Sequence, residues 1–182
     1  YDFEFLEGNQ DKTFMGIKYG KTLPTIQPIS IGMVSEDGRE YYAIFNDFNL
    51  KEAWNRYDLK YNQGCGDANN LPPTKVYWIR ENILFPIYYE LCLKENSTSV
   101  MEYGNYNNFV GAIKRSSNYK YCYKNLKRLL TKYGKSTKQI EQEIKDFCMP
   151  TQKRALDAGI DGIIGDIDKP FTLYGYYSAY DH

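Results

Sequence analysis

Apolar and polar residues alternate at the start of the chain: Tyr1, Phe3 and Phe5 fall on one side of an extended backbone, and Asp2 and Glu4 on the other. That period predicts a half-buried strand over residues 1–6. Residues 8–28 hold no period, because Gly16, Gly20, Pro24 and Pro28 interrupt it, and are expected to form a long loop. Two β-rich runs follow, 29–34 and 40–45. Asp37-Gly38 between them predicts a hairpin, and Gly32 inside the first run points to close approach of another backbone or a ligand. Asn49 with Glu52 three residues on predicts a short capped helix over 49–57. Over 76–93, Ile79, Ile83, Ile87 and Leu91 recur at helical spacing, with Pro86 as a kink or boundary. Helices are also predicted over 120–132 and 136–148. The second has Ser136 as cap and Ile140, Ile144, Phe147 and Cys148 on one face. Residues 155–169 read as a hairpin or loop, and 171–176 as a strand running into Tyr180-Asp181-His182.

Composition narrows the class. The 182 residues are 42% hydrophobic and 25% charged, which is enough for one domain with a substantial core. No apolar run reaches the roughly 20 residues a bilayer span needs, and no signal-peptide pattern is present, so a cytoplasmic protein without a membrane partner is expected. Cys65, Cys92, Cys122 and Cys148 form no C-x-x-C pair and are read as reduced, buried small hydrophobes. Trp54 and Trp78 are assigned to the core. Net charge is zero, but residues 111–154 carry twelve Lys or Arg against three Asp or Glu. That segment either grips a phosphodiester backbone, with Tyr119, Tyr121, Tyr123 and Tyr133 available to stack bases, or is the solvated face of amphipathic helices.

Several chemistries drop out. Gly134-Lys135-Ser136 ends like a phosphate loop, but the required earlier glycine is Leu129. Gly64 and Gly66 lack the third glycine, and with His182 as the single histidine no nucleophile triad is expected. The acids remain. Asp2 and Glu4 leave one face of a strand together, either as a solvated acidic edge or as ligands of a hard divalent cation. If the strand before Asp181 runs parallel beside the first, that carboxylate joins them at the carboxyl ends. Such a trio describes a site for two Mg²⁺ or Mn²⁺ ions.

The stretches Tyr1 to Glu7, Ile29 to Ala43, Trp78 to Ile83 and Tyr176 to His182 closely resemble, in this order, the mycobacterial-type 3′-to-5′ exoribonuclease branch of the DEDD superfamily. The basic region is outside the resemblance. The resemblance implies an α/β, RNase H-like mixed sheet, an antiparallel meander followed by parallel strands, flanked by helices. Residues 1–182 would then be a single partial exonuclease domain carrying a basic helical insertion at about 97–170. It also implies Asp2, Glu4 and Asp181 as catalytic metal ligands, and RNA or single-stranded nucleic acid 3′ ends as partners. Phe3 stands where a small residue is usual, so Phe3 and Phe5 are candidate substrate contacts. The family's third motif, with its histidine and fourth acid, is expected beyond His182. The chain, which opens without Met and inside a strand, is therefore expected to be an excised fragment, inactive alone.

The expected activity is hydrolysis of RNA from its 3′ end. A DNA-preferring exonuclease and a nucleic-acid-binding module without turnover stand beside it, and homo-oligomerisation is left open. A carboxylate-pair glycosidase ranks below these, because D-x-E on one strand sets the acids side by side rather than across a sugar.

Overall fold

The computed structural model describes residues 1–9, 11–15, 17–61, 72–96 and 102–149. Its architecture is mixed α/β. β1 (Asp2–Gly8), β4 (Thr25–Val34) and β5 (Glu40–Ile44) form an antiparallel sheet in that order. The Asp-Gly turn joins β4 to β5 as expected. Gly38 has φ +80°, a conformation that disfavours any side chain, and Ser35 and Arg39 close the loop by a backbone bond of 2.9 Å.

Register sets the two faces. Phe3, Ile31 and Ala43 lie opposite one another on the core side, where Ile31 and Ala43 are buried. Asp2, Gly32 and Tyr42 form one row on the other side, and Glu4, Ser30 and Ile44 the next. The alternation in β1 breaks after Glu4, where Glu4 pairs with Ser30 but Phe5 pairs with Pro28, leaving Ile29 as the extra residue of a bulge. Proline cannot donate to the ladder, so a bulge is where a strand tolerates it. Leu6, wholly buried, thereby takes the next core position after Phe3, and Phe5, expected on the apolar face, stays outside the core cluster.

The expected loop over 8–28 is replaced by structure. β2 (Asp11–Phe14) and β3 (Ile17–Lys21) pair as a separate hairpin, and β4 begins at Thr25, ahead of Pro28. Backbone pairing sufficed for these short runs despite their mixed polarity. Phe14, Ile17 and Tyr19 remain exposed.

α1 (Leu50–Asn55) starts as expected, with the Asn49 side chain accepting from the Glu52 N–H at 3.1 Å. β6 (Asp58–Lys60) and β7 (Thr74–Val76) form a small ladder, so the segment expected to be helical from residue 76 begins as strand. A π-helical turn, Arg80–Leu84, then runs into α2 (Phe85–Lys94). Pro86, at the start of α2, lacks the N–H of a regular ladder, and the wide turn falls just before it. Ile83, Ile87 and Leu91 are buried as their spacing predicts, but Trp78, assigned to the core, is 46% exposed. It precedes the turn that aligns the buried stripe.

α3 (Tyr106–Ser116), α4 (Tyr119–Tyr133) and α5 (Thr137–Cys148) occupy the basic region. α3 is capped by Asn105 and α5 by Ser136. Their buried residues Phe109, Ile113, Cys122, Leu126, Leu129, Leu130 and Ile140 share one core with Leu6, Ile29, Ile31 and Trp54. The chain between α4 and α5 also joins the sheet. Lys135 pairs in parallel with Phe45, exchanging 2.9 Å bonds with Ile44 and Asn46, and Asp47 accepts from Thr137 N at 2.7 Å. Opposite Met33, the Tyr41 hydroxyl donates to Glu143 Oε2 at 2.9 Å, and Arg39 stacks on Phe147. Cys92 and Cys122 are buried free thiols, with burial pushing Cys92 up to about 11. The parallel strands expected beside β1, with the 155–169 and 171–176 segments, Cys65 and Asp181, lie outside the described residues. Among the described residues no helix is long and apolar enough to cross a membrane.

Candidate metal centre

β1 carries Asp2 and Glu4 on the sheet face away from Ile31 and Ala43. Their Cα atoms are separated by two strand rises, roughly 7 Å. Asp2 is exposed and Glu4 half-buried. Burial, followed by the charge of Asp2, raises the Glu4 carboxyl above its ordinary range. Among the described residues neither acid has a Lys or Arg partner. Two like charges therefore share one surface with no compensating Lys or Arg among the described residues.

The strand beside them supplies the floor. Ser30, opposite Glu4, is 5% exposed, one of two polar side chains in the described core. Gly32, opposite both Asp2 and Tyr42, leaves open space, since a Cβ there would meet nothing within 4 Å. The close approach expected at this glycine is thus not made by any described residue. Tyr42 keeps half its surface open, yet its hydroxyl is enclosed enough that burial first, and the Glu90 and Glu4 charges next, push its pKa up against a hydrogen bond with Ser30. Ser30, Tyr42 and Glu90 were not singled out from sequence. The signal for the first two was available: polar Ser30 between Ile29 and Ile31, and Tyr42 in register with Gly32 once the Asp-Gly turn is placed.

Phe3 packs against the core and against Tyr1, 5.7 Å edge to face, on the side opposite the acids. Phe5 lies opposite Pro28, which shares the strand parity of Ser30. Asp181 is not among the described residues. Within those residues no group of three or more His, Cys, Asp or Glu is gathered closely enough to hold an ion. Asp2 and Glu4 are nonetheless chemically suited to a hard divalent cation: two carboxylate donors, mutually repelling, uncompensated and beside open space. They could furnish two ligands.

The tyrosines of the basic region divide. Tyr119 stacks on Phe85 at 6.5 Å, Tyr123 meets Trp54 at 5.6 Å, and Tyr133 lies under Lys94 and Lys132. Those three serve packing, and Tyr121 alone of the four is exposed, at 61%. Glu95 engages Arg128 and Lys132, Glu143 engages Lys135, and Glu81 engages Lys114. Lys120, Lys124 and Lys127, at i, i+4 and i+7 on α4, are exposed and have no described acidic partner. Searches with the chain find no matching family model, no similar curated protein and no similar solved structure.

Proposed function

We propose that the chain is part of a metal-dependent 3′-to-5′ exoribonuclease of RNase H-like fold, acting in the cytoplasm. The observation that carries this is the uncompensated Asp2 and Glu4 pair, with Glu4 held above its ordinary pKa, on an open sheet face beside Gly32. A surface that buries one of two like charges without a counter-ion is costly as scaffold and suited to a cation.

In this proposal Asp2 and Glu4 hold Mg²⁺ or Mn²⁺, and Asp181 is the third ligand. The bound ions supply activation of water and neutralisation of charge on the scissile phosphodiester. The chain's own part is to hold both acids on one face of β1 and to leave the floor at Gly32, between Asp2 and Tyr42, open. The antiparallel β1-β4-β5 sheet is compatible with the meander of that fold.

The second reading, a nucleic-acid-binding module without turnover, is favoured by the Lys120, Lys124 and Lys127 stripe on α4. Calorimetric titration of Mn²⁺ into the chain and into Asp2→Ala, with a 5′-labelled RNA degradation assay on the intact protein, separates the two. Metal binding that disappears with Asp2, and stepwise shortening from the 3′ end, support the enzyme. RNA held but not shortened, with equally weak Mn²⁺ binding by both chains, supports the module.

A further inference from the structure

Arg80 has an environment that the proposed reaction does not use. It is 8% exposed, and its guanidinium carbon lies 3.7 Å from the Tyr77 ring centroid, 4.7 Å from Tyr119 and 5.7 Å from Trp54. The rings are braced in turn, Tyr119 by Phe85 and Tyr77 by Tyr57, over which Lys75 Nζ sits at 4.2 Å. Aromatic faces stabilise a guanidinium but accept no in-plane hydrogen bond, so they fix the plane of the fork and leave its donors uncommitted.

Those donors find nothing among the described residues. Nε is sealed from solvent without a partner, while the terminal nitrogens are not sealed and have no acceptor among the described residues. The acid adjacent in sequence, Glu81, is taken by Lys114 Nζ at 2.5 Å. A sealed guanidinium Nε–H without an acceptor is costly, and natural cores rarely leave one so.

The surroundings select the missing acceptor. Tyr119, under the guanidinium, is the first residue of the fifteen-residue α4. That helix start has no side-chain cap bond and no acid in its first turn, and exposed Lys120 follows it. The positive helix end, the exposed Lys120 beside Tyr119 and a planar fork all favour a multivalent oxyanion. We infer that Arg80, caged by Tyr77, Tyr119 and Trp54 at the start of α4, binds a phosphate group. The site shares no residue with the Asp2 and Glu4 pair and does not depend on hydrolysis. Its ligand chemistry is that of a phosphodiester backbone or of a free phosphate.

The test uses the 182-residue chain in EDTA, where turnover cannot occur. Anisotropy of a short 5′-fluorescein oligouridylate reports backbone binding, and the melting temperature with and without inorganic phosphate reports the free anion. Arg80→Met keeps the stem and removes a buried charge, so it should melt at or above the wild-type temperature. It should bind the oligonucleotide about tenfold more weakly, with the slope of log affinity against log salt reduced by about 0.7. Loss of the phosphate-induced rise in melting temperature, with oligonucleotide affinity unchanged, supports the same site with a free phosphate as ligand. If Arg80→Met fails to fold, Arg80→Lys keeps the charge but loses the fork, and about tenfold weaker binding by it supports the site. Binding and phosphate response within about twofold of wild type in a folded variant overturn the inference and make Arg80 a cation–π clamp.

Discussion

Glu4 of β1 and three glutamates of the helical layer, Glu95, Glu141 and Glu143, are the same side chain in opposite circumstances. Arg128 and then Lys132 hold Glu95 down to about 2, and Glu141 and Glu143 are lowered by Lys145 and Lys135. Glu4 is raised, by burial and then by Asp2. These three helical acids are compensated within the chain, and their ion pairs sit near the surface, where such pairs contribute little. Asp2 and Glu4 have no Lys or Arg partner among the described residues. Charge density alone would have drawn attention to the basic helices, but compensation is what separates a solvated face from a candidate site.

The largest effect follows directly from this contrast. In the intact protein, Asp2→Asn or Glu4→Gln should lower RNA hydrolysis by about three orders of magnitude, since metal charge stabilisation is worth several kcal/mol. Glu143→Gln and Glu95→Gln should leave it within about twofold, because exposed pairs change stability slightly and touch no reacting atom. Single-turnover rates on labelled RNA decide it. Equal losses at both sets would erase the distinction.

Next comes the structural role of the helices. Leu126, on α4, is wholly buried in the core that α4 shares with α2 and the sheet. Leu126→Ala should cost roughly 2–5 kcal/mol in chemical denaturation, as buried leucine truncations do. A loss below about 1 kcal/mol would mean that α4 is an appendage and not part of the domain core.

The raised Glu4 makes a smaller, pH-dependent prediction without metal. Its protonated form is favoured on folding, so its contribution to stability is fully present below the unfolded glutamate pKa, about 4.3, and is lost as pH rises through the higher folded value. Glu4→Gln should therefore melt above wild type at neutral pH, the gain shrinking as pH falls below about 4. Added Mn²⁺ should stabilise wild type and not the variant. A gain independent of pH would place the effect in packing and not in charge.

Much of this was legible in sequence wherever short-range rules operate. The β1 alternation up to Glu4, the Asp37-Gly38 turn, and the caps at Asn49 and Ser136 each depend on residues within a few positions of one another. What escaped depends on distant pairings. The Phe5 displacement needs Pro28 across the sheet, and the β2–β3 hairpin was concealed by Gly16, Gly20 and Pro24. The Arg80 cage draws on Trp54, Tyr77 and Tyr119, which no local period connects. The acid pair was readable because both members share one strand. Its electrostatic setting was not, since that depends on Ser30, Tyr42 and burial.

The smallest expected effect distinguishes the open floor from a packed one. At Gly134, between α4 and α5, an added Cβ would lie 2.7 Å from the Leu130 carbonyl oxygen and 2.9 Å from Asn46 Cβ. At Gly32 it would meet nothing within 4 Å, and the residue's φ is not positive. Gly134→Ala should thus destabilise by about 1–3 kcal/mol, the usual cost of overpacking. Gly32→Ala should stabilise by about 0.4–1 kcal/mol through the unfolded chain. If the Gly32 space is kept clear for substrate beside Asp2, the larger Gly32→Val should remain folded while raising the KM for RNA. A folded Gly32→Val with unchanged KM would show that substrate does not use this floor, leaving the carboxylates as the sole functional feature of the sheet face.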